Sequence, residues 1–340
     1  MTKTVRARLQ YMVGGLLYSP AINVGLAEKI DNGCFPCLTS MAFCLEDSIR
    51  DEALEEAEAE LCRTLQAISE RNIQKDKLPL IFIRIRTPEH MEHVHTLLSP
   101  FYDVVTGYIL PKFDLSNCDE YKRIISSINA ELGAPLYIMP ILESKMIADI
   151  AGRTSTLLKI KENLDSMQEY ILNVRVGGND FSNLYGLRRG ANQNIYQIGV
   201  IRDILVDIIN VFAADYVVSG PVWEYFGTDL SESWATGLQA ELSLDRLNGF
   251  IGKTSIHPSQ LPLIYESMKV KKSDYEDALS ILGWDSSKLG VEKSSDGSRM
   301  NEVKCHEKWA LRIATLGDIY GIRDEWVLLL AISVIANRRC

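Results

Sequence analysis

The chain has 340 residues, of which 46% are hydrophobic and 24% are charged, and its formal net charge is −9. These proportions are typical of a globular protein with a full core, and they exclude a disordered, collagen-like or disulfide-scaffold chain. The acidity argues against a nucleic acid partner because no basic stripe offsets it, whereas a small anionic substrate could still bind a few local Arg or Lys residues.

Short apolar or β-branched segments alternate with longer amphipathic stretches along most of the chain. The predicted strands are residues 13–18, 39–45, 80–85, 104–110, 136–142, 171–177, 215–219 and 251–256. This alternation is typical of a parallel sheet, and the count of strands favours a closed (β/α)₈ TIM barrel. A doubly wound open sheet is the alternative, but no G-x-G-x-x-G motif follows the first strand, which weakens a dinucleotide-binding interpretation.

The strand rhythm stops after about residue 263. We therefore predict a catalytic barrel domain over residues 1–262 and a C-terminal lid and helical extension over residues 263–340. Residues 284–303 are rich in Ser, Asp, Gly and Lys, which predicts a loop or lid. Residues 304–336 are predicted to be helical, with the apolar run Trp326 to Ala336 as a buried helix.

Neither apolar terminal run predicts a membrane partner. The run Trp326 to Ala336 is shorter than the roughly 20 residues that span a bilayer. The run Tyr11 to Tyr18 is broken by two glycines and lacks a cleavage signal, so it is better explained as a first strand. The seven cysteines include one close pair, Cys34 and Cys37, with no partner pair or His spaced for zinc. We expect reduced thiols and a cytoplasmic location.

Charged residues follow nearly every predicted strand, at the end where barrel enzymes place their chemistry. Glu143 and Asp180 follow the fifth and sixth strands, so their carboxylates are expected to converge and repel. A Mg²⁺ ion suits two carboxylates plus water and leaves positions for substrate oxygens. Two unconnected carboxylates in helix caps are the alternative. Gly177 and Gly178 would let the backbone approach a ligand, or simply form a turn.

Three further strand-end residues admit both a functional and a structural interpretation. Arg84 would be costly to bury unpaired, so it is expected to bind a substrate carboxylate, an acid at Glu46 or Asp47, or both. Lys112 could be a Schiff-base nucleophile if its pKa were lowered, although an ion pair with a neighbouring acid is more common. His257 could be an acid/base group or a packed side chain that caps the eighth strand.

Several of these segments together resemble the HpcH/HpaI aldolase and citrate lyase beta-subunit family of Mg²⁺-dependent lyases. The matching segments, in order, are Leu45-Glu46-Asp47, Arg84 in I-R-I-R, Leu110-Pro111-Lys112, Leu142-Glu143-Ser144, Gly178-Asn179-Asp180, the G-K-x-x-I-H-P-S-Q string from Gly252 to Gln260, and a lid-like segment from Gly297 to Glu302. The G-K-x-x-I-H-P-S-Q string is the most specific of them.

The resemblance implies a (β/α)₈ barrel, trimeric or hexameric, that makes or breaks a C–C bond beside a 2-oxo or carboxylate group. It implies that Mg²⁺ is held by Glu143 and Asp180 and stabilises an enolate together with Arg84. Glu46 and Asp47 would support Arg84, and Lys112 would complete the catalytic set. The residues expected to bind the small anionic substrate beside Arg84 are Tyr18, Gly178, Asn179 and His257.

The chain also departs from the family pattern. Gly14 and Pro20-Ala21 stand where citrate lyase-like members have an Arg and a Pro-Gly that help to hold coenzyme A phosphates. Asn301 replaces the last acid of the lid, and Arg86 stands where many relatives have Asn. These changes argue against a coenzyme A thioester and favour a divergent subgroup, the C–C bond lyases associated with bacterial tellurium resistance. The alternatives are a non-catalytic metabolite-binding barrel and a Schiff-base aldolase that uses Lys112.

Overall fold

The computed structural model describes residues 2–71, 73–74, 77–284 and 290–323. Contacts between these residues group the chain into two compact units, the first ending at Ile264 and the second beginning at Tyr265. Among the described residues, no helix is both long and apolar enough to cross a membrane. The predicted helix from Trp326 to Ala336 lies outside the described residues.

The first unit is a barrel of eight parallel strands, as the sequence predicts. The strands are β1 (Gly15–Pro20), β2 (Ser40–Cys44), β3 (Leu80–Arg84), β4 (Val105–Leu110), β5 (Tyr137–Leu142), β6 (Asn173–Val176), β7 (Val217–Ser219) and β8 (Lys253–Ser255). Each pairs with the next in sequence, and β1 also pairs with β8. A single parallel bridge between Gly220 and Lys253 joins β7 to β8 and closes the barrel.

Helices precede, connect and follow the strands, and those between strands cover the outside of the barrel. They are α1 (Thr2–Met12), α2 (Leu26–Asp31), α3 (Leu54–Glu70), α4 (Pro88–Leu98), α5 (Cys118–Glu131), α6 (Lys145–Ala148), α7 (Arg153–Asp165), α8 (Gly178–Leu184), α9 (Gly199–Phe212), α10 (Ser233–Leu247) and α11 (Leu261–Met268). Helix α3 shows why such segments fold: Ala57, Leu61, Leu65 and Ile68 recur at helical spacing and are all buried.

Helix α1 was not expected from the sequence. It contacts the start of β6, since Arg6 Nε donates to the Ile171 carbonyl at 2.8 Å and Asn173 Nδ2 donates to the backbone carbonyl of Gln10 at 2.9 Å. These contacts hold the N-terminal segment against the end of the barrel opposite the strand C-termini. The first strand consequently starts at Gly15, two residues later than predicted.

Alternation along the strands separates an inner core from an outer one. Leu16, Phe82, Ile109 and Met139 fill the barrel interior and are fully buried. Their neighbours Leu17, Ile83 and Ile138 face the helices. Residues two apart in a strand point to the same side. Arg84 therefore faces the barrel interior like Phe82, and Arg175 like Asn173. Both arginines lie closer to the strand C-termini than these neighbours.

The second unit contains helices and short strands. Its elements are β9 (Val270–Lys271), α12 (Lys272–Leu282), β10 (Val291–Lys293), β11 (Met300–Glu302), α13 (Val303–Tyr320) and β12 (Ile322–Arg323). Strands β10 and β11 form an antiparallel hairpin within the segment predicted as a loop or lid. Arg299 in this hairpin pairs with Asp274 and Asp277 at 2.7 Å each, which fixes the hairpin to α12. The role of a lid stays a prediction.

Gly107 of β4 lies directly beside Tyr137 of β5, so a substitution at Gly107 tests the register of these two strands. A Cβ atom at Gly107 would lie 1.9 Å from the Tyr137 carbonyl oxygen, which is backbone and cannot rotate away. We expect Gly107→Ala to lower the free energy of unfolding by about 3 kcal/mol. Urea denaturation measures this change. Gly133→Ala is the matched control, because no atom lies within 4 Å of its added Cβ. Equal stabilities of the two variants would contradict the register.

Candidate active site at the barrel mouth

The charged side chains that follow β2, β3, β4 and β5 meet at the C-terminal ends of the strands, which we call the barrel mouth. Arg84 is at the centre of this group. Its Nη2 lies 2.8 Å from Glu46 Oε2, 3.2 Å from Asp47 Oδ2 and 3.7 Å from Glu143 Oε1. Burial opposes the charge of Arg84, but the nearby Tyr18 and the carboxylates of Glu46 and Glu143 raise its pKa.

Lys112 joins two of these acids and does so from an unusual backbone conformation. Its Nζ lies 2.6 Å from Glu46 Oε1 and 3.5 Å from Asp47 Oδ1. Its φ angle is +50°, in the left-handed region that non-glycine residues seldom occupy. This conformation directs the backbone N–H of Lys112 to Glu143 Oε1 at 2.8 Å. Strain of this kind persists only where surrounding contacts hold it.

Glu143 is a buried carboxylate in contact with backbone on two sides. Besides the N–H of Lys112, it packs against Gly177, where a Cβ atom would lie 2.2 Å from Glu143 Oε2. Burial and the neighbouring charge of Asp180 raise the pKa of Glu143 to about 8, against the opposing effect of Arg84. Gly177 is therefore required for this packing, and the two carboxylates are close enough to repel.

A cavity of about 190 Å³ opens between these groups at the barrel mouth. We call it the mouth cavity, and the polar and charged side chains that line it are Tyr18, Asp47, Arg84, Glu143, Arg175, Asn179, Asp180 and Thr254. Glu46 contacts Arg84 and Lys112 contacts Asp47, but neither Glu46 nor Lys112 lines the cavity. The volume is below the roughly 300–1,000 Å³ of pockets for drug-sized ligands, so it suits a small organic acid.

Tyr18 and the glycine-rich turn line the mouth cavity where the sequence placed them. Arg84 lies over the Tyr18 ring, 5.7 Å from its centroid. Burial raises the pKa of Tyr18, so the hydroxyl keeps its proton and can donate a hydrogen bond. Gly178 has no room for a side chain, since a Cβ atom would lie 2.7 Å from Ile195 Cδ1. The turn therefore brings Asn179 and Asp180 to the cavity wall.

His257 does not line the mouth cavity. It lies in the short turn after β8, where its Nδ1 contacts Ser259 Oγ at 2.9 Å and its ring stacks on Phe226 at 4.4 Å between centroids. Burial lowers its pKa. The G-K-x-x-I-H-P-S-Q string instead contributes Thr254 and Ile256 to the cavity wall. These contacts favour the structural interpretation of His257, and its predicted role in substrate binding stays a prediction.

Arg175 and Thr254 line the cavity but were not predicted from the sequence, and Arg175 is the charged one. It lies in the middle of an apolar strand segment, I-L-N-V-R-V, and is only 2% exposed. The sequence signal was present, because a cation inside a largely apolar strand needs a partner or a ligand. Arg175 was not among the strand-end residues, since it precedes the end of β6 by one residue.

The donor set at the mouth fits Mg²⁺. Within the described part of the chain, no group of three or more His, Cys, Asp or Glu side chains is arranged to enclose a metal ion. Glu143 and Asp180 thus form a pair, with Asp180 in the first turn of α8. Mg²⁺ is commonly bound by one or two carboxylates while it keeps several waters or substrate oxygens. The repulsion that raises the pKa of Glu143 is what such an ion would relieve.

Comparison with known proteins agrees with this fold. Residues 7–322 match the family described as C–C bond lyases of the TIM-barrel fold. The chain belongs to this family, and it is therefore a carbon–carbon lyase. The assignment confirms the predicted resemblance to citrate lyase beta-like proteins. No protein of curated function matches the sequence.

Solved structures share the fold at low sequence identity. A citrate lyase from Burkholderia xenovorans LB400 matches with a TM-score of 0.66 and 12% identity, covering 95% of this chain and 96% of the other. The CitE protein of Mycobacterium tuberculosis, solved with magnesium, acetoacetate and coenzyme A, matches with a TM-score of 0.57 and 18% identity, covering 88% and 97%. RipC from Yersinia pestis matches with a TM-score of 0.53 and 15% identity, covering 78% and 99%.

The raised pKa of Glu143 predicts how the metal-free protein responds to pH. Between the ordinary value of 4.5 and about 8, folded Glu143 holds a proton that the unfolded chain releases. Rising pH across this window therefore lowers the free energy of unfolding. In EDTA, Glu143→Gln should melt a few degrees above wild type at pH 8.5, with the difference vanishing near pH 5.

Melting curves in EDTA from pH 5 to 9 measure this effect. Mg²⁺ should raise the melting temperature of wild type at pH 8.5 and leave Glu143→Gln unchanged. Glu92→Gln, an exposed carboxylate in α4, is the control and should follow wild type at every pH. A Glu143→Gln protein that is less stable than wild type at pH 8.5 in EDTA would show that burial does not hold the proton there.

Proposed function

We propose that this carbon–carbon lyase is Mg²⁺-dependent and cleaves or forms a C–C bond in a 2-oxo acid or similar carboxylate through an enolate. The observation that carries the proposal is the pair Glu143 and Asp180, from neighbouring strand ends, beside the cation Arg84 in one small cavity. Bound Mg²⁺ would polarise the substrate oxygens and offset the negative charge that develops on them. The magnesium in the CitE structure of M. tuberculosis is consistent with this proposal.

The chain's own residues would position the reacting groups. Arg84 would face the substrate oxygens with its geometry fixed by Glu46 and Asp47, so that charge developing there meets a preorganised cation. The backbone of Lys112 and the surface of Gly177 would hold Glu143 in its ligand orientation. Tyr18, protonated and at the cavity wall, would donate to a substrate oxygen.

In the cleavage direction the electrons balance within the substrate. For a 4-hydroxy-2-oxo acid, the bond between C3 and C4 breaks and its electron pair becomes the enolate of the 2-oxo product. The C4 hydroxyl becomes the carbonyl of an aldehyde, and the proton that it loses is balanced by protonation of the enolate at C3, so that the products are a 2-oxo acid and an aldehyde. Binding of the enolate more tightly than the substrate would accelerate the step, because catalysis requires stronger contacts in the transition state.

The proposal predicts which residues the reaction needs. Glu143→Ala and Asp180→Asn should each lower kcat/KM by at least about a hundredfold, because each removes a metal ligand. The assay measures 2-oxo acid released from a panel of 4-hydroxy-2-oxo acids, with Mg²⁺ or EDTA. Glu92→Ala is the control variant. Turnover that survives EDTA and Glu143→Ala would refute the metal assignment.

Lys112 separates this mechanism from a Schiff-base aldolase. Partial burial disfavours its charge, but the contacts with Glu46 and Asp47 raise its pKa, which opposes nucleophilic attack by the amine. We expect no reduced adduct at Lys112 when the protein is treated with borohydride and a 2-oxo acid, as read by peptide mass spectrometry. Lys112→Arg, which keeps the charge and cannot form an imine, should keep most of the activity. An adduct on Lys112 would overturn the metal–enolate mechanism.

A further inference from the structure

The two arginines of the mouth cavity differ in how their charges are balanced. Arg84 lies within 4 Å of three carboxylates, those of Glu46, Asp47 and Glu143. Arg175 forms no ion pair with any Asp or Glu of the described residues, although it is only 2% exposed. A buried cation without a counter-charge is costly, so this arrangement is unusual for a purely structural residue.

Neutral hydroxyl groups hold the Arg175 guanidinium in place. Its Nη2 donates to Thr254 Oγ1 at 2.7 Å, and its Nη1 donates to Ser219 Oγ at 3.3 Å. Ser219 in turn donates to Asn173 Oδ1 at 2.9 Å. The Nε atom of Arg175 has no hydrogen-bond partner among the described residues. The guanidinium is therefore oriented by hydroxyls, and its charge is left available.

The position of Arg175 directs that charge toward a ligand. Arg175 lies between Ile141 of β5 and Ser219 of β7 in the strand register, on the barrel interior. It lines the same cavity as Arg84, Glu143 and Asp180. The two arginine charges are close enough to oppose each other, and Tyr18 contacts both guanidinium groups. Two cations that repel within one small cavity favour a bound anion.

We propose that Arg175 binds a second carboxylate of the substrate and so selects diacids over monoacids. This inference rests on the proposed function, because the first carboxylate and the oxo group would occupy the end of the cavity at Glu143, Asp180 and Arg84. The planar guanidinium suits a carboxylate, with two donors in a fixed geometry. The small cavity favours a short-chain diacid in which both groups belong to one molecule.

The test compares acids that differ only in the second carboxylate. The pairs are 2-oxoglutarate with 2-oxopentanoate and 2-oxoadipate with 2-oxohexanoate, titrated calorimetrically into wild type with Mg²⁺. Wild type should bind at least one diacid at least about tenfold more tightly than its matched monoacid. Arg175→Met should reduce that preference to less than about threefold and change the monoacid Kd by less than about threefold.

Two further variants guard against a merely structural effect. Arg175→Lys keeps the cation without the planar fork and should show an intermediate preference. Arg153→Met removes a buried arginine that pairs with Asp207 outside the cavity, and it should lose stability while keeping the diacid preference. The comparison of diacids with monoacids in wild type does not depend on whether any variant folds.

The outcomes separate this inference from the proposed function. Wild type that binds both acids of every pair equally would overturn the role of Arg175 and leave the 2-oxo acid site intact. Arg175→Met that weakens both acids alike would do the same, because it would make Arg175 a structural residue. Wild type that binds none of the four acids in Mg²⁺ would overturn the proposed function, and this inference with it.

Discussion

The carboxylate of Glu143 is buried at the barrel mouth beside a second carboxylate, and much of the surrounding structure serves to keep it there. The N–H of Lys112 donates to one oxygen, Arg84 approaches the same oxygen, and Gly177 leaves space for the other. Lys112 and Gly177 follow β4 and β6, which flank β5 in the sheet, and Arg84 ends β3, the next strand beyond β4. A parallel barrel makes this possible because all of its strands end at the same rim.

Charge at the mouth is distributed unevenly rather than neutralised group by group. The acids from β2 and β5 surround Arg84, so its role is to shape the site as much as to supply net charge. Among the described residues, Arg175 and Asp180 have no oppositely charged partner within 4 Å, and both lie on the β6 side of the cavity. On the proposals made above, a ligand with a carboxylate at one end and metal-binding oxygens at the other would balance both charges.

The sequence predicted most of the barrel because both signals that define it are local. Each strand is a short apolar run, and each charged residue of the candidate site lies at or shortly after a strand end, so Glu143, Asp180, Arg84 and Glu46 could be assigned to one rim without coordinates. Helix α1 escaped prediction because its sequence is weakly amphipathic, and contacts with Ile171 and Asn173 far along the chain determine its position. Arg175 escaped because its environment depends on hydroxyls from β7 and β8.

His257 belongs to a conspicuous motif, and its role in substrate binding stays a prediction. Its ring is occupied by Ser259 and Phe226, while the less conspicuous Thr254 of the same string reaches the cavity. Strand alternation explains why Thr254 reaches the cavity. Lys253 faces outward to its buried partners Glu241 and Asp245 at 2.8 and 2.6 Å, so Thr254 faces inward. Pleat parity, applied residue by residue, would have identified both Thr254 and Arg175.

The left-handed backbone conformation of Lys112 means that the residue best for stability at this position is not the residue best for the proposed activity. A glycine would adopt that φ of +50° without strain, and a chain selected for robustness alone would place it there. Only the side chain would be lost in that exchange: the lysine ammonium holds Glu46, whereas the backbone N–H that holds Glu143 is present in glycine as well. Searches for heat-resistant forms of this barrel should accordingly find glycine at residue 112, in proteins that endure longer and turn over less.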